Sequence, residues 1–168
     1  MAVALVTIYY GADRDAGWQI WKIPASGGEA AQITERGGCE ARESADGKFL
    51  YCLTGIDTYG FYRLPINGNS EDKRYDFPEA VQLVKLNDWT LTDKGIYFIY
   101  RYENPKKIAA HPAIEFFDFT TERVTPIAPL PKDPIVETGL SVSPDGKWLY
   151  YSIDDALNSD IMLVENFL

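Results

Sequence analysis

Ser143-Pro144-Asp145-Gly146-Lys147-Trp148-Leu149-Tyr150-Tyr151 sets an Asp-Gly turn directly before an aromatic and branched run, and the pattern returns twice upstream. Ser44-Ala45-Asp46-Gly47-Lys48-Phe49-Leu50-Tyr51 keeps most of it, and Thr92-Asp93-Lys94-Gly95-Ile96-Tyr97-Phe98 keeps the glycine and the apolar strand. Gly47, Gly95 and Gly146 recur at intervals of 48 and 51 residues, close to the roughly 40–50 residues of one four-stranded repeat unit. Asp-Gly supplies the positive φ of a tight hairpin, and the aspartate can hold turn N–H groups with its own carboxylate. Asp46, Gly47, Gly95, Asp145 and Gly146 are therefore read as structural turn residues.

Outward from these turns the whole chain reads as β. Phe49 to Leu53, Gly95 to Tyr100 and Trp148 to Tyr151 are short, aromatic and branched, and no stretch sustains a helical apolar period. Second strands follow at Gln19 to Ile23, Gly60 to Leu64, Ile114 to Phe119 and Asp160 to Val164. The two ends of the chain also match: Tyr9 to Trp21 superposes without a gap on Tyr150 to Met162, at a constant offset of 141. Short strands with turns between them, repeated at this period, predict a β-propeller fragment of about three and a half four-stranded blades. With strands lettered a to d from the centre outward, Val3 to Tyr10, Gln19 to Ile23 and Ala30 to Thr34 supply b, c and d of a first blade. The last repeat supplies a, b and c. The approximate repeats are 1–35, 36–83, 84–128 and 129–168, forming one partial propeller domain.

These residues resemble the TolB-type, WD-repeat-like propeller repeat, in which a Ser-Pro-Asp-Gly-Lys turn leads to an apolar strand, a polar hairpin and an Ile-Trp strand. Ser143 to Tyr151 matches that pattern closely, Ser44 to Tyr51 has Ala45 in place of the proline, and Ile20-Trp21 supplies the Ile-Trp element. The resemblance covers nearly the whole chain and implies the fold. The closing run Ser159 to Phe167 also resembles the C-terminal end of bacterial proteins in which such a propeller follows a winged-helix domain. No winged helix is read here, so no DNA contact is carried over to any residue.

Composition narrows the function. At 168 residues, 46% hydrophobic and 14% aromatic, the chain can bury an ordinary core. A net charge of −9 argues against direct nucleic-acid binding, which needs basic surface to displace counterions. Met1 to Tyr10 has no basic flank and too few apolar residues to span a bilayer, so neither a targeting signal nor a membrane partner is expected, and the compartment stays open. Cys39 and Cys52 flank the Asp46-Gly47 hairpin and could face each other on paired strands, although cysteine is commonly a small buried hydrophobe. His111, in the connection from Asn104 to Pro112, is expected to be solvated. No nucleophile, base and orienting group can be assembled, so no catalytic residue, cofactor or metal site is assigned.

Alternation on the inner strands nominates a channel lining. Glu40, Arg42, Asp88, Thr90 and Ser141 alternate with the apolar Ala41, Trp89 and Leu140, and Glu137 joins them near one rim. Glu43 breaks the pattern, since its equivalents are Leu91 and Val142. The expected function is a non-enzymatic interaction or sensing module, binding a protein partner or small polar ligand at the channel mouth. A propeller supporting a prolyl-oligopeptidase-like hydrolase, and a purely structural fragment, are the alternatives. Half a ring leaves blade faces and strand edges uncovered, so self-association is expected, as a homodimer whose strands total seven blades.

Overall fold

The computed structural model describes residues 6–14, 17–54, 60–66, 73–75, 88–100, 112–131, 139–155 and 158–165. His111 lies outside them. The chain forms two compact units, Met1–Asp76 and Phe77–Leu168. The first unit holds β1(Thr7–Arg14), β2(Gly17–Pro24) and β3(Ala31–Gln32) in one antiparallel sheet, and β4(Glu40–Glu43), β5(Phe49–Leu53), β6(Phe61–Pro65) and β7(Lys73–Tyr75) in another. The second unit holds β8(Trp89–Leu91), β9(Gly95–Tyr100), β10(Ala113–Asp118) and β11(Val124–Pro129), then β12(Leu140–Val142), β13(Trp148–Asp155) and β14(Asn158–Glu165). Every sheet is a meander in which sequence neighbours pair. Among the described residues the first sheet has strands b, c and d, and the last has a, b and c, as the repeat pattern predicts.

The offset of 141 is carried by the hydrogen-bond register itself. The β1–β2 ladder runs from Thr7↔Pro24 to Arg14↔Gly17. The β13–β14 ladder runs from Trp148↔Glu165 to Asp155↔Asn158, so each partner is displaced by the same amount. A one-residue slip would invert every side chain between core and solvent. The two end hairpins are therefore equivalent pieces of one repeat.

Each unit is held by apolar side chains between its two sheets. Ile20 and Ile33 pack with Leu50, Cys52, Tyr62 and Leu64 in the first unit. In the second, Tyr97, Ile99 and Ile114 pack with Leu140, Leu149 and Tyr151. The prolines respect the ladders: Pro24, Pro65 and Pro129 end their strands, and Pro126 sits on the edge strand β11. The β10–β11 register shifts between Ile114 and Glu115, just before the Glu115↔Pro126 pair, where a missing N–H is tolerated.

Two of the three turns have the expected construction. The Ser44 hydroxyl donates to Asp46 Oδ1 at 2.7 Å, the same oxygen accepts from the Lys48 N–H, and Gly47 has φ 67°. Ser143, Asp145, Lys147 and Gly146 repeat the arrangement, with φ 71° at the glycine. Gly95 is different. The Thr92 N–H donates to the Gly95 carbonyl at 2.9 Å, closing a shorter turn, and Gly95 itself opens strand β9 instead of supplying a positive φ. A Cβ there would stand 2.0 Å from the Phe117 carbonyl oxygen and 2.7 Å from the Phe116 ring. Glycine is required at 95 for close approach of β10, a different reason from the one its spacing suggests.

Candidate functional site

On β4, Ala41 turns toward the first unit's core. Glu40 and Arg42 share the opposite face, where Arg42 Nη2 donates to Glu40 Oε1 at 2.9 Å. On β8, Trp89 is wholly buried and Thr90 is buried at 7% exposure, and Asp88, just before the strand, is buried at 0%. On β12, Leu140 is buried and Ser141 is exposed. Glu137 lies outside the described residues. Glu40 and Arg42 thus neutralise each other within the first unit, while Asp88 just before β8, Thr90 on it and Ser141 on β12 hold the matching positions of the second.

A second site was visible in the sequence only as the anomaly at Glu43. A cleft of about 580 Å³ opens in the first unit, lined by Val6, Thr7, Tyr9, Lys22, Pro24, Glu29, Ala31, Glu43 and Ile66. Tyr9 and Lys22 are register partners on β1 and β2, so both reach the same face of their sheet. Glu43, the last residue of β4, comes from the neighbouring sheet and lines the same cleft as Tyr9. Burial, then the Glu43 charge, pushes the Tyr9 hydroxyl up to about 12, so it remains a neutral donor at ordinary pH. Two carboxylates face one ammonium across an amphipathic cleft. Such an arrangement has the chemistry to accept a positive group alongside apolar surface.

Other ionisable groups have structural roles. Cys39 and Cys52 are both buried and both free, so they do not form a bridge. Burial pushes their thiols up to about 11 and about 12 respectively, away from reactivity. Glu115, on β10, is buried at 9% exposure, and that burial raises its carboxyl above the ordinary range. Among the described residues no three His, Cys, Asp or Glu side chains converge as a metal site would require. No helix there is long and apolar enough to cross a membrane.

No family profile matches the sequence, and no curated protein does. Solved structures do. TolB from Acinetobacter baumannii superposes with a TM-score of 0.71 at 18% identity, covering 95% of this chain and 38% of that one. The chain has a β-propeller fold. The tricorn protease follows with a TM-score of 0.54 at 13% identity over 93% of this chain and 16% of the protease. A candidate 6-phosphogluconolactonase from Bacteroides uniformis gives 0.50 at 15% identity over 95% of this chain and 54% of its own. At these identities the likeness is one of fold, and the chain spans well under half of the TolB it resembles.

Proposed function

We propose that this propeller segment is a non-enzymatic interaction module of a TolB-like protein, and that it recognises a protein segment or small ligand carrying a basic group. The cleft at Glu43 is the observation that carries this reading. It pairs two carboxylates, Glu29 and Glu43, and a neutral tyrosine donor with the apolar edges of Val6, Pro24, Ala31 and Ile66. The surrounding charge of −9 favours a cationic partner by long-range attraction as well as by contact. Titration calorimetry with a tetralysine and a tetraglutamate peptide tests it. Tetralysine should bind, with affinity falling at least about tenfold in Glu43→Gln. Preference for the acidic peptide, or a Glu43→Gln affinity equal to wild type, would overturn the reading.

The resemblance to the tricorn protease and to the candidate lactonase supports a second reading, in which the segment belongs to a propeller associated with an enzyme. Hydrolysis of 6-phosphogluconolactone by the purified chain, above the spontaneous rate, would favour it.

A further inference from the structure

The cleft at Glu43 carries charges of both signs, and the fold neutralises none of them. Lys22, Glu29 and Glu43 line it together, and among the described residues none of the three forms an ion pair. Elsewhere in the same unit charges are matched: Arg42 pairs with Glu40 at 2.9 Å and Lys48 with Asp46 at 3.1 Å. Lys22 is half-buried on the middle strand of its sheet, while Glu29 and Glu43 are exposed at the margins of the cleft. An opening of about 580 Å³ lies within the roughly 300–1,000 Å³ of small-ligand pockets, so these groups have room for an external partner.

Strand register fixes the order of these charges. Tyr9, Lys22 and Ala31 are successive partners on β1, β2 and β3, so they stand in one row on one face of the sheet. Lys22 is the middle of that row. Glu43 lies on its Tyr9 side, close enough for its charge to raise the Tyr9 hydroxyl, and Glu29 lies on its Ala31 side, two residues before β3. A carboxylate therefore flanks the ammonium on each side. The Tyr9 hydroxyl, neutral at ordinary pH, stands beside Lys22 as a second donor, and Ala31 adds only a methyl group to the row. A purely cationic ligand brings like charge against Lys22, whereas one with an acidic group between two basic ones meets attraction at all three positions.

From this we infer that the cleft's ligand is an amphoteric peptide segment, its acidic side chain seated at Lys22 and the Tyr9 hydroxyl and a basic side chain on either side, at Glu43 and Glu29. The inference rests on the reading of this cleft as a site for a basic group and names the rest of what the ligand carries. In an extended segment alternate residues share one face, at about 6.5–7 Å intervals, so the pattern is basic, acidic, basic at every second position. Lys22 is then a specificity-determining residue. The net charge of −9 attracts any polycation from a distance, and the ammonium at the centre of the cleft discriminates at contact against a segment that is basic throughout.

Titration calorimetry of the full chain with two end-capped pentapeptides, Lys-Ala-Glu-Ala-Lys and Lys-Ala-Gln-Ala-Lys, tests this. The first should bind wild type at least about threefold more tightly. Long-range attraction works against that result, because the glutamate peptide carries the smaller positive charge. Lys22→Met, which keeps the apolar stem and removes the ammonium, should abolish or reverse the preference. Equal affinity or a preference for the glutamine peptide in wild type would overturn the proposal, and so would a preference for the glutamate peptide that survives Lys22→Met. In either case, weaker binding of both peptides to Glu43→Gln would leave the site for a basic group standing. No binding of either peptide or of tetralysine would overturn that site and this proposal together. The wild-type comparison needs no variant, so it decides even if Lys22→Met fails to fold.

Discussion

At the scale of single residues, the repeated turns divide into two kinds of glycine. Gly146 has φ 71° with open space around its Cβ position, so Gly146→Ala should cost only the left-handed backbone penalty, about 1–2 kcal/mol. Gly95→Ala must displace the Phe117 carbonyl, and should cost more than about 3 kcal/mol or prevent folding, as read by urea denaturation of the two variants. The turn aspartates and Glu115 should give opposite pH signatures. A hydrogen bond from the Ser44 hydroxyl and the Lys48 N–H depresses Asp46, and the Ser143 hydroxyl and Lys147 N–H do the same for Asp145. Their contribution is present above the ordinary carboxylate pKa and is lost as pH falls through the depressed folded value. Burial raises Glu115 instead, so its neutral form is favoured in the fold. That stability is full below the ordinary glutamate pKa and lost as pH rises through the raised value. Glu115→Gln should therefore be relatively more stable than wild type at neutral pH than at pH 4 or below, and thermal melts at the two pH values check this.

At the scale of strands and sheets, the strand order and the end-to-end equivalence were legible because hairpin meanders obey local rules. Asp-Gly turns set the ladders at Ser44 to Lys48 and Ser143 to Lys147, and alternation then separated Ala41, Trp89 and Leu140 from their polar neighbours. What escaped was the chemistry made between sheets. Glu43 was visible as a carboxylate in an apolar position, but its partner Tyr9 comes from another sheet and the intervening sequence carries no sign of the pairing. Gly95 misled for a related reason, since spacing alone cannot distinguish a turn glycine from one on which a neighbouring strand presses. The cores between paired sheets should dominate stability. Leu149→Ala, at a fully buried site packed by Ile114 and Leu140, should cost about 2–5 kcal/mol by chemical denaturation. The buried, raised thiols of Cys39 and Cys52 should resist an aromatic disulfide reagent in the native state and react promptly in guanidinium.

At the scale of the whole molecule, one repeat is used four times with different coverings. The same tyrosine position is buried at Tyr51 and Tyr97 and exposed at Tyr150, and the same branched aliphatic position is buried at Leu50, Ile96 and Leu149 and exposed at Ile8. The difference lies in what each sheet meets, since the local sequence is alike. Titration calorimetry of the wild-type chain and of Glu43→Gln with tetralysine tests the central claim, a cation-binding cleft at Glu43, most directly. Binding that weakens at least about tenfold in Glu43→Gln is the predicted result, and equal affinity in the two proteins would contradict it.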